Sequence, residues 1–214
     1  MIEVDGIILV ISCQKHMNTR LKQCKLPQND YGKWKVIYVI GDLFLDSDYA
    51  MNGNYMTVKC EDSYIHLLKK LVLSLKYIYE LFNIKEGVLR CGDDLYFNES
   101  MLQTFLDSEK DDFVGRSPTT RNLLQSDITD ELLKRTRHDS FMVDYYNVHP
   151  EDFDHPQHNL KGIVISNYTK RPEIVIGASG VIYYISNKSC KVLIDHMETI
   201  HYDIFYFDEF SQSY

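Results

Sequence analysis

The sequence predicts an α/β domain, a mixed and mainly parallel sheet flanked by helices. Residues 6–12, 35–40 and 87–91 are continuous apolar runs rich in β-branched side chains, the pattern of strands buried on both faces. Residues 63–82 carry a long stripe of leucines at helical spacing, which marks an amphipathic helix. Strand and helix signals then alternate along the chain, as they do where helices cover a parallel sheet.

In chain order, Gly6-Ile7-Ile8-Leu9-Val10-Ile11-Ser12 reads as the first strand, followed by a polar stretch with helical spacing over 15–25. Lys35-Val36-Ile37-Tyr38-Val39-Ile40 is the second buried strand, closed by Gly41-Asp42, and 55–58 is a short third. In the long helix Leu67, Leu71, Leu75, Ile78 and Phe82 keep the period, and Leu68, Val72 and Tyr79 widen the stripe. Gly87-Val88-Leu89-Arg90-Cys91 follows as a buried strand, then a helix over 98–106 and a strand over 112–115. The polar stretch 117–158, with a helix-compatible segment at 127–136, reads as an excursion over the sheet edge, where binding loops sit on rigid scaffolds. β character returns at 164–165, 173–176 and 181–185, a helix follows over 188–200, and the aromatic, acidic 204–214 stops without a tail. The expected organisation is a single domain over 1–214, with halves at 1–115 and 116–214, and an excised origin fits the abrupt end.

Composition excludes several function classes. A net charge of −8 leaves no basic stripe for a phosphate backbone, so no nucleic-acid partner is expected. An acidic chain that binds an anionic ligand calls for a divalent cation between them. The cysteines Cys13, Cys24, Cys60, Cys91 and Cys190 contain no CxxC pair and read as scattered reduced thiols. No apolar run reaches the length of a membrane span and no basic leader precedes the first strand, so a cytoplasmic, soluble protein is expected.

Four local features carry chemistry. Gly92-Asp93-Asp94 directly follows a buried strand, and ligands bind at the carboxyl ends of strands in parallel α/β sheets. Carboxylates there suit Mn²⁺ or Mg²⁺, while a capping or solvated turn is the plain alternative. Asp62, His66 and Lys70 lie four apart, which places them on one helix face. Asp62 then suits a uracil or ribose group and Lys70 a phosphate, unless the face is simply solvated. Gly177-Ala178-Ser179-Gly180 permits close approach of backbone to a ligand, or forms an ordinary turn. Phe207-Asp208-Glu209-Phe210 sets two acids between aromatics, either a general base in an apolar setting or an acidic terminal turn.

Taken in order, these segments resemble the inverting β-glycosyltransferases of family 31, the β-1,3-galactosyltransferase and Fringe group. The family pattern Asp-Ser-Tyr-x-Asn-Leu-Thr-x-Lys is similar to Asp62-Ser63-Tyr64-Ile65-His66-Leu67-Leu68-Lys69-Lys70, with Tyr77 where an aromatic follows. Lys-Thr-Asp-Asp-Asp-x-Phe looks like Arg90-Cys91-Gly92-Asp93-Asp94-Leu95-Tyr96. The Tyr-Pro segment with paired glycines is similar to Arg171-Pro172-Glu173 through Gly177 and Gly180 to Ser186, and Phe-Glu-Asp-Val to Phe207-Asp208-Glu209-Phe210. Val39-Ile40-Gly41 looks like the family's Phe-Leu-Leu-Gly.

The resemblance implies a GT-A fold, with a nucleotide-sugar-binding half at 1–115 and an acceptor-binding half at 116–214, and transfer of a hexose or deoxyhexose from a UDP-sugar donor to a carbohydrate or glycoprotein acceptor. It implies Mn²⁺ (or Mg²⁺) on Asp94 and Asp93. The donor set it implies is Ile11, Ser12, Cys13, Asp42, Asp62, His66, Lys70, Arg90 and Asp93. Gly177, Ala178, Ser179 and Gly180 would face the acceptor, and Asp208 or Glu209 would act as base. Departures exist: Gly92 replaces the first acid, His66 replaces an asparagine, and the family's late metal-binding histidine would lie beyond residue 214. The lack of the animal enzymes' anchor fits a soluble microbial or viral relative.

Three other readings compete. A sugar nucleotidyltransferase needs a glycine-rich loop after the first strand, and Ser12-Cys13-Gln14-Lys15-His16 has no glycine. A non-catalytic module that binds carbohydrate or nucleotide-sugar is favoured by Gly92. His149, His155 and His158 with Asp152 and Asp154 match no zinc spacing and read as a solvated loop.

Overall fold

A computed structural model describes residues 1–23, 26, 29–62, 66–115 and 181–200. Within them lies a mixed α/β fold built on an eight-stranded sheet with helices on both faces. In chain order the elements are β1 (Ile2–Ile11), α1 (Arg20–Gln23), β2 (Asp30–Tyr31), β3 (Trp34–Gly41), β4 (Tyr49–Asn52), β5 (Tyr55–Val58), α2 (Leu67–Leu81), β6 (Phe82–Gly92), α3 (Glu99–Asp107), β7 (Phe113–Gly115), β8 (Ile182–Ser186) and α4 (Asn187–Asp195).

The strands are ordered β4-β5-β3-β1-β6-β8-β7, with β2 paired to β3. The central strands β5, β3, β1 and β6 run parallel. The outer pairings β4–β5, β2–β3, β6–β8 and β7–β8 are antiparallel. The expectation of a mainly parallel sheet is corrected accordingly: only the centre is parallel. For β2–β3 and β4–β5 the hairpins explain the difference, because loops as short as Gly32-Lys33 and Gly53-Asn54 can only join antiparallel strands. Gly32 and Gly53 sit at φ of 62° and 61°, a left-handed conformation that glycine adopts without penalty.

Alternation along β1 divides the core. Ile7, Leu9 and Ile11 face α2 and α4, packing with Leu71, Leu75, Ile78 and Cys190. Ile8 and Val10 face the other way, toward Leu21 of α1 and Leu102 and Leu106 of α3. Both faces being covered explains the unbroken apolar runs of β1 and β3. Asn98 caps α3 by accepting from the Met101 amide at 3.2 Å, and Ser186 caps α4 by accepting from the Ser189 amide at 3.2 Å, as side-chain oxygens before a first turn do.

Three boundaries differ from expectation. The long helix begins at Leu67 and ends at Leu81, and Phe82 already opens β6 with φ −122° and ψ 141°. Phe82 and Ile84 are buried while Asn83 and Lys85 are exposed, a period of two that continues the apolar count of the helix into the strand. The polar stretch after β1 forms a 3-10 turn (Gln14–His16) and the single-turn α1 instead of a longer helix. Finally, β1 starts at Ile2 because its first residues pair with Phe82–Ile84 of β6.

The amino ends of the strands are closed by an aromatic box. A Cβ on Gly6 would fall inside the Trp34 ring, so only glycine fits there. The Lys110 ammonium lies over Trp34 at 5.3 Å, Phe105 at 5.5 Å and Tyr184 at 5.7 Å. It also meets Glu86 at 2.8 Å and donates to the Leu106 carbonyl at 2.9 Å. A buried ammonium is tolerated when ringed by acceptors and aromatic faces in this way.

Candidate functional site

The order of the central strands determines where a site can form. From β1 the chain moves outward through β3 to β5, with α1 on one face, then returns through α2 on the opposite face to β6 on β1's other side. The carboxyl ends of β1 and β6 therefore flank the point where the winding reverses, and such a point leaves a crevice for a ligand. Ser12-Cys13 leave β1, Gly41-Asp42 end β3, and Gly92-Asp93-Asp94 end β6 at this edge. Ile11 is the last residue of β1 and is buried.

Across the switch point the Ser12 hydroxyl donates to Asp93 Oδ2 at 2.6 Å. His16 Nδ1 lies 3.1 Å from the same oxygen, and Arg20 Nη1 lies 3.7 Å from Oδ1. Asp93 is 7% exposed, so its charge is compensated by side chains from the β1 segment rather than by solvent. Asp94, one residue on, is exposed. A Cβ on Gly92 would lie 3.0 Å from Asp94 Oδ1, so the glycine leaves room for that carboxylate to fold back over the strand end. The two acids of the sequence motif thus have different settings, one fixed and covered, one open.

A second acid organises the floor. Asp62 Oδ2 accepts from the Gln14 amide at 2.6 Å, and Oδ1 accepts from the Gly41 amide at 3.2 Å and pairs with Lys70. The Lys70 ammonium also donates to the Ser12 carbonyl at 2.8 Å. Both side chains are buried. Burial pushes the Lys70 pKa down, but the charge and hydrogen bond of the Asp62 carboxylate, with smaller contributions from Cys60 and Cys13, together hold it above its ordinary value. A Cβ on Gly41 would come within 3.0 Å of the Cys60 carbonyl and 3.1 Å of Asp62 Oδ1, so the glycine admits this carboxylate to the strand end.

The sequence suggested that Asp62, His66 and Lys70 share one helix face, Asp62 open to a uracil or ribose group and Lys70 to a phosphate, with a solvated face as the alternative. The correction is that Asp62 precedes α2 and Lys70 is buried. Asp62 meets Lys70 in a buried ion pair. Both contacts face inward, joining the turns after β1 and β3 to α2. His66 precedes the first turn of α2, its carbonyl accepting from the Lys70 amide at 2.8 Å. Arg90 is buried within β6, its guanidinium 5.3 Å from the centre of the Tyr183 ring. Asp42 closes a turn by accepting from the Phe44 amide at 2.9 Å, as an aspartate does at an Asx-turn. Cys13 is half-buried, and burial raises its pKa. Cys60 is buried behind it with a thiol pushed up to about 12 by the same cause, the setting of an inert thiol.

The structure therefore brings Ser12, Asp62, Lys70 and Asp93 into one network beside Asp94, with Cys13 next to Ser12 in the chain. Gly177, Ala178, Ser179, Gly180, Asp208 and Glu209 lie outside the described residues, as does the cluster at 149–158. His16 and Arg20 were missed by sequence reasoning. Their signal was charge pattern rather than motif, since both belong to a basic stretch directly after the first strand.

Among the described residues no group of three or more His, Cys, Asp or Glu side chains is gathered to hold a metal on its own. Mg²⁺ and Mn²⁺ need no such cage when phosphate oxygens complete the shell, because one or two carboxylates then suffice. The open Asp94 carboxylate fits that role. Asp93, engaged by Ser12 and His16, fits it poorly. Among the described residues no helix is long and apolar enough to cross a membrane. No protein-family profile matches this chain, and no curated protein matches it significantly.

Proposed function

We propose that this chain is a metal-dependent GT-A glycosyltransferase that moves a hexose or deoxyhexose from a UDP-sugar to an acceptor hydroxyl. The observation that carries the reading is the open Asp94 carboxylate at the reversal of strand order, one residue beyond the fixed Asp93. Crevices of this kind bind nucleotides across many α/β proteins, and an acid at the strand end suits a metal-chelated diphosphate. The residues of the resemblance to family 31 add the sugar and the reaction class.

Asp94 would hold Mn²⁺ or Mg²⁺, and a metal bound there would neutralise the diphosphate and stabilise charge on the departing UDP. Ser12, Cys13 and Asp42 border the base and ribose. Asp62 and Lys70 keep the turns after β1 and β3 at fixed separation, so the crevice is set before the donor arrives. Asp208 or Glu209 takes the proton of the acceptor hydroxyl as it attacks the anomeric carbon opposite the leaving group. Such base catalysis contributes about 10² to 10⁴ in rate. A single displacement inverts the anomeric centre.

The test is incubation of the chain with a panel of UDP-sugars and Mn²⁺, with the product anomer read by NMR. Turnover of one donor with inverted configuration is expected. Retention would remove the single displacement, and no release of UDP from any donor would remove the enzyme. A second reading, a non-catalytic nucleotide-sugar binding module, is favoured by the engagement of Asp93 with Ser12, His16 and Arg20, which leaves one open acid. Donor binding without turnover would select it.

A further inference from the structure

We propose that the segment leaving β1 is a metal-independent anion grip, in which Asp93 holds His16 and Arg20 toward the diphosphate of a nucleotide donor. The inference rests on reading the crevice as a nucleotide-sugar site, and it assigns the two acids of the motif to different tasks.

Charge distribution is the first support. The chain has 31 acidic against 23 basic residues, yet no acid occurs between Asp5 and Asp30, a stretch that holds Lys15, His16, Arg20, Lys22 and Lys25. The structure sets His16 and Arg20 of this stretch at the carboxyl end of β1, beside the reversal of strand order. A segment without acids at such a crevice spares an anion the repulsion it would meet elsewhere on a negative protein.

Geometry is the second. Asp93 Oδ2 takes the Ser12 hydroxyl at 2.6 Å and His16 Nδ1 at 3.1 Å, so the carboxylate is held against rotation. With Nδ1 occupied, the imidazole is oriented and its other nitrogen is directed away from the carboxylate. Arg20 is 48% exposed and approaches Asp93 Oδ1 at 3.7 Å through Nη1, which leaves most of its five donors for another partner. A carboxylate that is 7% exposed and fixed by a hydroxyl differs from the loose surface ion pair that contributes little. A divalent cation on Asp93 would displace the Ser12 and His16 contacts and sit against the guanidinium. Asp94 has no such neighbours within ion-pair distance among the described residues. Asp93 is then a positioning residue for an imidazole and a guanidinium, and Asp94 is the acid open to metal.

The experiment is calorimetric titration of the full chain with inorganic pyrophosphate, first with EDTA and then with Mn²⁺. Pyrophosphate is expected to bind without metal. Arg20→Ala should weaken that binding about tenfold, the weight of one charge-assisted hydrogen bond, and His16→Ala should weaken it as well. Lys85→Ala, which removes an exposed cation near the opposite end of β6, should change it by less than about twofold, since a distant surface charge is screened. Asp93→Asn should keep the gain produced by Mn²⁺, whereas Asp94→Ala should lose it. Pyrophosphate bound only in the presence of Mn²⁺, or bound equally by Arg20→Ala, overturns the grip and leaves the glycosyltransferase reading standing. Metal-free binding that depends on Arg20, in a chain that turns over no UDP-sugar, upholds the grip while that reading falls.

Discussion

Lys70→Met is expected to remove roughly 3–5 kcal/mol of folding stability, the usual cost of leaving one partner of a buried ion pair uncompensated. Asp62 would remain buried, keeping only the amides of Gln14 and Gly41 as donors. The Ser12 carbonyl would lose its ammonium donor, and the turn that carries Ser12 and Gln14 would lose its tie to α2. A domain of ordinary stability has only about 5–15 kcal/mol in hand, so the variant should be marginal. Urea denaturation followed by Trp34 fluorescence reads this directly, because Trp34 is the single tryptophan and is buried. Adding Asp62→Asn to Lys70→Met should recover part of the loss, since it removes the stranded charge while keeping an acceptor for the amides. A loss below about 1 kcal/mol, the range of an exposed pair, would show that the pair is solvated. The sign of the pH dependence follows. With its folded pKa raised, the Lys70 contribution is complete below the unfolded value of 10.5 and fades only as pH climbs through the folded one.

Asp94→Ala is expected to leave stability within about 0.5 kcal/mol, as exposed substitutions do, yet to lower UDP-sugar turnover about 10²- to 10³-fold. That loss is the size seen when a single group stabilising a departing charge is removed. Calorimetry with a UDP-sugar, with and without Mn²⁺, should show the metal-dependent part of the affinity gone. An unchanged Mn²⁺ effect in this variant removes Asp94 as the metal ligand. The contrast between the two substitutions is physical. On the proposed reading Lys70 acts through the shape of the crevice and Asp94 on the ligand, so one should move the unfolding curve and the other the reaction.

The centre of the fold was legible because β1, β3 and β6 are buried on both faces, and continuous runs such as Ile7 to Ile11 have no other common explanation. The outer sheet was harder. β4 is four residues of alternating exposure, and its antiparallel pairing is a property of the Gly53 turn more than of the strand. The start of β6 was hidden because Phe82 satisfies both the helical stripe before it and the strand period after it.

In the site, Asp93 and Asp94 were located correctly at a strand end by their place after an apolar run. Nothing in a Gly-Asp-Asp triplet says which acid is covered, because Asp93 is covered by Ser12, His16 and Arg20 from another strand's end. The spacing of Asp62 and Lys70 suggested a shared helix face, open to ligand or solvent, for a similar reason. Spacing describes a helix in isolation, and here Asp62 precedes the helix while Lys70 is drawn inward to the Ser12 carbonyl.

Paramagnetic broadening by Mn²⁺ in the presence of UDP, read on the amide spectrum of the isotope-labelled chain, locates the ligand directly. The account predicts that signals of Gly92, Asp93 and Asp94 and of Ser12 to His16 vanish first, while those of β2 and of the Gly53 turn persist. Broadening centred on the histidines at 149–158, with the ends of β1 and β6 unaffected, would contradict it.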